Sequence, residues 1–256
     1  MNRKEYVKFG IDELDKLLGG GLVRGSLNLI ETEPGTQETL FVSAFLREGL
    51  EERNYCSIIL YDRPVEELID RLSSIGANVD VALKSGQMMI VDLYSSGTYD
   101  PEHKGPILKT ENPSDPTSAL RLFTDLNDEA NARMRNPKFS AFKGVRTINL
   151  SLSSEIMIQK FEPTYRLIRL GSQMLKKTEA IHLSLLDPRM FDQTVVAAIE
   201  HVYDGLIVLS TKETKGKFQR YLRVKESPIG GFHNQEVPYD IVEGKPRLLM
   251  PLTSSF

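Results

Sequence analysis

The residues best placed to do chemistry lie between 27 and 41, where LNLIETEPGTQETLF runs from an apolar stretch through a turn into a helical pattern. A strand, a tight loop and a helix start in this order are typical of a phosphate-binding loop, written G-x-x-x-x-G-K-[ST]. In a working loop the glycines let backbone N–H groups close around phosphate, the lysine meets the β and γ phosphates, and the hydroxyl binds Mg²⁺.

This loop departs from the working pattern at the positions that matter most for phosphate. Thr32 stands at the first glycine, Gln37 at the second and Glu38 at the lysine. The turn around Gly35 and the hydroxyl of Thr39 are retained. We therefore interpret the stretch as a vestigial phosphate loop whose candidate cofactor-binding residues are Thr32, Gly35, Thr36, Gln37, Glu38 and Thr39.

Replacing lysine by Glu38 reverses a charge that would be aimed at a polyanion. At ~4 Å and an effective dielectric constant of ~20, the swing is on the order of 8 kcal/mol per phosphate charge. The anion preference of a helix N-terminus, roughly 0.3 to 2 kcal/mol, does not offset that. Gln37 adds a second obstacle if its position requires a positive φ, because a residue with a Cβ adopts that conformation reluctantly.

The segment FGIDELDKLLGGGLVRGSLNLIE, residues 9–31, precedes the loop and carries a more specific pattern. It resembles the KaiC-like branch of the RecA-type P-loop ATPases, in which G-[IV]-x-x-[FL]-D-x-L-L-G-G-G-[IL]-x-x-G-S leads into the phosphate loop. The matching residues are Gly10, Ile11, Leu14, Asp15, Leu17, Leu18, Gly19, Gly20, Gly21, Gly25 and Ser26. Near the C-terminus, residues 220–249 are similar to the terminal antiparallel strands of the same family.

The resemblance implies an α/β fold of the RecA-like P-loop NTPase type. We expect a mostly parallel central sheet flanked by helices, with antiparallel strands added at the C-terminus. We expect one domain over residues 1–256, with a long loop insertion at about 95–117 that is either a surface excursion or a partner-binding segment. Residues 143–157 are predicted to form a strand and 162–178 a helix.

Three further parts of the ATPase machinery that the resemblance implies are also altered. Asp62 and Arg63 stand at the paired glutamates that activate water, and Asp62 is predicted mainly to cap the helix at Pro64. Asn149 or Ser151 stands at the acid that holds Mg²⁺, with Glu155 the first carboxylate beyond. In ring-forming relatives a lysine and an arginine reach the neighbouring nucleotide, but Glu226 and Pro228 occupy those places here.

Composition favours a solvated globular protein and does not indicate a nucleic-acid binder. The 256 residues carry a net charge of −3 and a single cysteine, Cys56, which lies in an apolar run and is predicted to be a buried thiol. The start lacks an apolar signal core, and no segment approaches the ~18 apolar residues of a membrane span. We expect a cytoplasmic protein without a membrane contact. The four histidines lack ligand spacing, and His182 is predicted to be an interior residue.

Our first hypothesis is a non-catalytic KaiC-like protein, with no catalytic or metal-binding residues and no cofactor, acting as a regulatory or scaffold protein. We expect its partner to be a protein or peptide, with a KaiC-like paralogue or a second copy of the chain in a homo-oligomer as the candidates. One alternative is a weak ATP-binding protein or slow ATPase that uses Thr39, Asp62 and Glu155 without normal Mg²⁺ coordination. The other is a nucleic-acid-binding recombinase paralogue, which needs a basic patch formed by Arg24, Lys143, Arg146 and Arg166.

Overall fold

Most of the apolar runs in the chain become strands of one ten-stranded sheet. The computed structural model describes residues 5–95, 107–109, 112, 114–135, 142–214, 216–228 and 235–249. The strands are β1 (Tyr6–Val7), β2 (Leu22–Val23), β3 (Leu27–Glu31), β4 (Asn54–Leu60), β5 (Met88–Asp92), β6 (Ile107–Lys109), β7 (Gly144–Asn149), β8 (Ile181–Leu186), β9 (Gly205–Thr214), β10 (Lys217–Glu226), β11 (Val237–Val242) and β12 (Lys245–Leu248). Strands β1 and β2 form a separate two-stranded antiparallel pair.

The helices alternate with these strands, which gives the crossovers that a parallel sheet requires. They are α1 (Asp12–Leu17), α2 (Glu38–Glu51), α3 (Val65–Ser74), α4 (Val79–Lys84), α5 (Pro116–Arg135), α6 (Leu152–Gln159), α7 (Phe161–Thr178) and α8 (Gln193–Glu200), with a short 3-10 helix at Pro188–Met190.

The large sheet has the order β12-β11-β10-β9-β3-β8-β7-β4-β5-β6. All pairs from β9 to β6 are parallel, and β10, β11 and β12 are added to β9 as antiparallel strands. The predicted fold class, a mostly parallel α/β sheet with C-terminal antiparallel strands, is therefore confirmed.

Two hydrophobic cores cover the two faces of the sheet. One packs α1 to α4 against residues such as Ile30 and Ile58, and the other packs α5 to α8 against residues such as Leu29 and Val91. Because both faces are covered, the central strands are apolar at nearly every position, as strands β3 and β4 show. Cys56 is buried in the first core, as predicted, and this burial raises the pKa of its thiol to about 12.

Asp15, in the helix before the glycine-rich turn, holds the backbone that precedes this helix. The carboxylate of Asp15 accepts hydrogen bonds from the backbone N–H groups of Phe9 and Gly10, at 2.6 and 3.2 Å. Gly21 has a φ of 127°, and a Cβ there would lie 2.3 Å from the carbonyl oxygen of Val7. Only glycine therefore allows β1 and β2 to pair at this point.

Some predicted element boundaries are wrong. The strand predicted over 143–157 ends at Asn149, because Ser151 accepts a hydrogen bond from the N–H of Ser154 and starts α6. Within the predicted loop at 95–117, residues 107–109 form the edge strand β6 and Pro116 begins α5. Residues 96–106, 110–111 and 113 of that loop lie outside the described residues, so its proposed role is not assessed.

Among the described residues, Arg146 is the largest fully buried side chain. It lies on β7, an interior strand of the sheet, where a charged residue is unusual. Its guanidinium pairs with Glu52 at 2.8 Å, donates to the carbonyl of Phe45 at 3.1 Å and lies 4.7 Å from the centroid of the Phe45 ring. A buried cation with these partners is compensated, whereas the carbonyl and carboxylate would lose their donor if it were removed.

We predict that Arg146→Met lowers the free energy of unfolding by about 3 kcal/mol, because it breaks a largely buried ion pair. The matched control is Arg166→Met, which breaks the exposed pair with Glu162, where both side chains are 74% exposed. The control should change stability by less than about 1 kcal/mol. Urea unfolding of both variants measures this difference, and equal effects would contradict the assigned role of Arg146.

Candidate functional site

The segment that we interpret as a vestigial phosphate loop lies between β3 and α2, at the carboxyl edge of the parallel strands. This is the edge at which open α/β sheets bind their ligands. The N–H of Thr32, the first loop residue, donates to the carbonyl of Leu186 at the end of β8, at 2.8 Å. Glu38 and Thr39 are the first two residues of α2.

Gln37 has the positive φ that would make its side chain unfavourable: it is left-handed, with φ 61° and ψ 41°. It immediately precedes α2, and its side chain makes no capping hydrogen bond. Gly35 also has a positive φ, of 93°. The loop thus keeps the backbone bend of a phosphate loop, but at residue 37 it does so with a side chain that makes the bend unfavourable.

The hydroxyl groups of the loop bond to one another across its interior. The hydroxyl of Thr36 donates to the carbonyl of Glu33 at 2.8 Å and lies 2.6 Å from the hydroxyl of Thr32. Thr36 is fully buried, and its hydroxyl is also 3.4 Å from the carboxylate of Glu38. The Thr32 and Thr36 hydroxyls are therefore already used within the loop.

Side chains of the C-terminal strands β9, β10 and β11 hydrogen-bond to the loop. The Glu33 carboxylate accepts a hydrogen bond from the hydroxyl of Thr211 at 2.7 Å. The guanidinium of Arg220 donates to the carbonyl of Gly35 at 2.7 Å, and the Tyr239 hydroxyl donates to the carbonyl of Thr36 at 2.6 Å. Sequence reasoning did not find these contacts, because they join residues about 180 to 200 positions apart and leave no local pattern.

Asp62 does not cap α3, so that prediction is wrong. The helix begins at Val65 with Pro64 as its N-cap, and no side chain caps it. Asp62 instead accepts two hydrogen bonds from Arg63, at 3.1 and 2.8 Å. The acidic Asp62 and the neighbouring Glu67 and Glu38 raise the pKa of the Arg63 guanidinium, which places Glu38 in the same charge cluster.

At the place of the expected metal-holding acid, the structure joins Asn149 to Glu155. Asn149 ends β7, and its side-chain amide donates to the Glu155 carboxylate at 2.5 Å. Glu155 is buried on α6, and this burial raises the pKa of its carboxyl to about 7. Ser151 lies between them as the cap of α6. Within the described ranges, no group of three or more His, Cys, Asp or Glu side chains is arranged to hold a metal ion.

The basic patch needed for a nucleic-acid-binding protein does not form. Arg146 is fully buried, and Arg24 and Arg166 pair with Glu5 and Glu162 at 3.1 and 2.6 Å. The prediction that Arg146 contributes to such a surface is wrong, because its guanidinium is used inside the first core. Among the helices that the structure describes, none is long and apolar enough to cross a membrane.

A strand, a phosphate-type loop and a helix at the carboxyl edge of a mostly parallel sheet define a RecA-like P-loop α/β protein. Within that class, the chain belongs to the KaiC ATPase family. The family model described as "ATPase: KaiC" matches residues 7–248, which includes the loop, both cores and the antiparallel strands.

Individual relatives agree with this assignment. The chain is 24% identical to a UPF0273 protein of Methanopyrus kandleri over 93% of its own length and 90% of that protein. It is 25% identical to a UPF0273 protein of Methanocaldococcus jannaschii, over 92% of each chain. The solved structure of a KaiC-like protein from Pyrococcus horikoshii superposes with a TM-score of 0.74 at 20% identity, covering 97% of this chain and 100% of that one, which shows the shared fold.

We predict that Gln37→Gly stabilises the protein by about 1 kcal/mol, because glycine adopts the left-handed conformation without a Cβ penalty. Gln193→Gly is the matched control, since Gln193 is an exposed residue at the start of α8. Glycine there should lower stability, because it only adds backbone entropy to the unfolded chain. Thermal and urea unfolding compare the two, and destabilisation by Gln37→Gly would contradict the strain assigned to this position.

Glu155 should make stability depend on pH. Between its ordinary pKa of 4.5 and the raised value of about 7, the folded protein keeps the proton that the unfolded chain loses. The resulting stabilisation is complete below pH 4.5 and is lost as the pH rises through about 7. We predict that Glu155→Gln reduces the loss of stability between pH 5 and 8 by roughly 2 to 3 kcal/mol. The exposed Glu162→Gln should leave the pH profile unchanged, and identical profiles for all three proteins would refute the assignment.

Proposed function

We propose that this chain is a non-hydrolysing member of the KaiC family that acts as a regulatory or scaffold protein by binding a protein or peptide. One observation supports this most directly: the vestigial phosphate loop is closed by its own side chains, with Glu38 at the position of the phosphate-binding lysine. The Thr32 and Thr36 hydroxyls bond across the loop at 2.6 Å. A nucleotide would have to break that contact and then face a carboxylate.

The charges around the loop favour the same conclusion. Each arginine that the contacts place beside the loop already has a partner: Arg63 pairs with Asp62, Arg189 with Asp187, and Arg220 donates to a loop carbonyl. Glu33 and Glu38 add two carboxylates. An anionic triphosphate would therefore meet an acidic edge whose cations are engaged, and rearranging those pairs costs free energy in addition to the repulsion.

The places of the water-activating and metal-holding groups support the proposal in the same way. Asp62 is held by two hydrogen bonds from Arg63, which leaves its carboxylate poorly disposed to accept a proton from water. Glu155 is buried and bonded to Asn149, and the raised pKa of its carboxyl disfavours the charged form that Mg²⁺ requires. The described residues thus do not fit a Mg²⁺ ion with an ATP in the usual arrangement.

A cationic side chain of a protein partner fits this acidic edge better than a nucleotide does. Glu33, Glu38 and Asp62 would each gain from a lysine or arginine brought by a peptide, a KaiC-type paralogue or a second copy of this chain. Oligomer formation belongs to this proposal and needs no bound nucleotide. The alternative is weak ATP binding through Thr39, in the absence of normal Mg²⁺ coordination.

Isothermal titration calorimetry with Mg-ATP tests the proposal. We predict no saturable binding to the natural protein and measurable binding to the combined variant Thr32→Gly, Gln37→Gly and Glu38→Lys. That variant removes the hydroxyl contact, relaxes residue 37 and restores the cation. It should still release no phosphate above background, because Asp62 and Asn149 are unchanged.

Glu51→Lys is the matched charge control, since Glu51 is an exposed residue at the other end of the same helix. It should bind no more Mg-ATP than the natural protein. Tight binding and turnover by the natural protein would overturn the proposal. An equal gain from Glu51→Lys would show that net charge, and not the loop, governs affinity.

A further inference from the structure

The second core contains a pocket of about 100 Å³, partly open to solvent, between the sheet and helices α5 and α7. Leu27, Val91, Leu126, Leu167 and Leu175 contribute to its mainly apolar walls. It lies on the face of the sheet opposite to α2, so it is separate from the vestigial phosphate loop. A partly open pocket of this size has room for water or for a small ligand.

One wall of the cavity is polar and is formed by side chains from three neighbouring strand regions. The Tyr203 hydroxyl donates to the hydroxyl of Ser184 at 2.8 Å, Ser184 is 2.8 Å from Nε2 of His182, and Nδ1 of His182 is 2.6 Å from the hydroxyl of Thr147. All four side chains line the cavity. Burial lowers the pKa of His182 to about 4, so its imidazole is neutral at pH 7.

This chain of side chains has one donor more than it uses. The three hydroxyls and the neutral imidazole carry four hydrogens, and they make three hydrogen bonds with one another. If Nε2 of His182 carries the proton, the hydroxyl hydrogen of Ser184 is left over; if Nδ1 carries it, that of Thr147 is left over. Either tautomer therefore offers one O–H donor at the cavity wall.

Glu155 supplies a second polar group, which can accept a hydrogen bond when its carboxyl is ionised. One of its oxygens accepts from Asn149 at 2.5 Å, and the other has no hydrogen-bond partner among the described residues. Glu155 also lines the cavity, and its charge adds to the rise in the pKa of Tyr203 that burial mainly causes. The same pocket thus carries the hydroxyl donor and the Glu155 carboxyl among mainly apolar walls.

We propose that this cavity is a binding site for a small neutral molecule with an apolar body and a single hydroxyl end. The hydroxyl oxygen would accept from Thr147 or Ser184, and its hydrogen would go to Glu155. A cavity of about 150 Å³ accommodates benzene, so this smaller space suits a molecule of about five heavy atoms. An anionic ligand is disfavoured, because it would meet the carboxyl of Glu155 away from water.

Ligand-observed NMR titration with butan-1-ol and with pentane, its isostere without the hydroxyl, tests the site in the full-length protein. Butan-1-ol should bind saturably in the millimolar range and at least tenfold more tightly than pentane. The double variant Thr147→Val and Ser184→Ala should lose most of this preference, because only the Glu155 contact to the ligand hydroxyl is left. Absence of saturable binding, or an unchanged preference in the double variant, would overturn the proposal.

Filling the space gives an independent test. Ala130→Leu and Leu126→Phe both enlarge side chains that line the cavity and should abolish butan-1-ol binding. Ala197→Leu is the matched control, because Ala197 is exposed on α8, and it should bind as the natural protein does. Thermal unfolding identifies any variant that fails to fold, and the other filling variant then provides the result. Retained binding in a folded filling variant would refute the assignment.

Discussion

The central position of β3 is the constraint on which the rest of the structure depends. This strand hydrogen-bonds to β8 on one side and to β9 on the other, in parallel register with both. Both of its faces are covered by helices, so each of its five residues is buried. The residue that follows it, Thr32, can therefore emerge only at the carboxyl edge of the sheet, where its N–H is fixed by Leu186 of β8.

From that fixed point the loop satisfies its own polar groups. In a P-loop NTPase without bound nucleotide, the backbone N–H groups and the lysine that bind phosphate are unpaired donors. Here the hydroxyls of Thr32 and Thr36, the carboxylate of Glu33 and the side chains of Arg220 and Tyr239 form contacts instead. These contacts engage side chains and carbonyls of the loop without a ligand, and together with Glu38 they support the proposed loss of hydrolysis.

Buried polar groups elsewhere in the chain differ in whether all their hydrogen-bonding capacity is used. Arg146 is surrounded by partners, so its charge is compensated and its role is structural. The Thr147-His182-Ser184-Tyr203 chain and Glu155 are incompletely used, and they face a cavity. Buried polar groups without a full set of partners are costly, and such a cost is characteristic of a site that binds something.

The sequence by itself determined the fold class, and it predicts a vestigial phosphate loop between β3 and α2. The buried strands are continuous apolar runs, the helices have amphipathic patterns, and the segment at 9–31 carries the family motif, so each of these signals is local. The altered residues Gln37 and Glu38 are equally visible in the sequence, because a motif fixes which type of residue belongs at each position.

Only the tertiary structure decided what closes the loop and which polar residues meet. Arg220 and Tyr239 reach the loop because β10 and β11 are added beyond β9, and no local pattern encodes that approach. The same holds for Arg146, which the nucleic-acid alternative required on a basic surface and which the sheet places in the core. Contacts between residues far apart in the chain depend on the packing of whole elements, which is set by the summed burial of many side chains and not by any one motif.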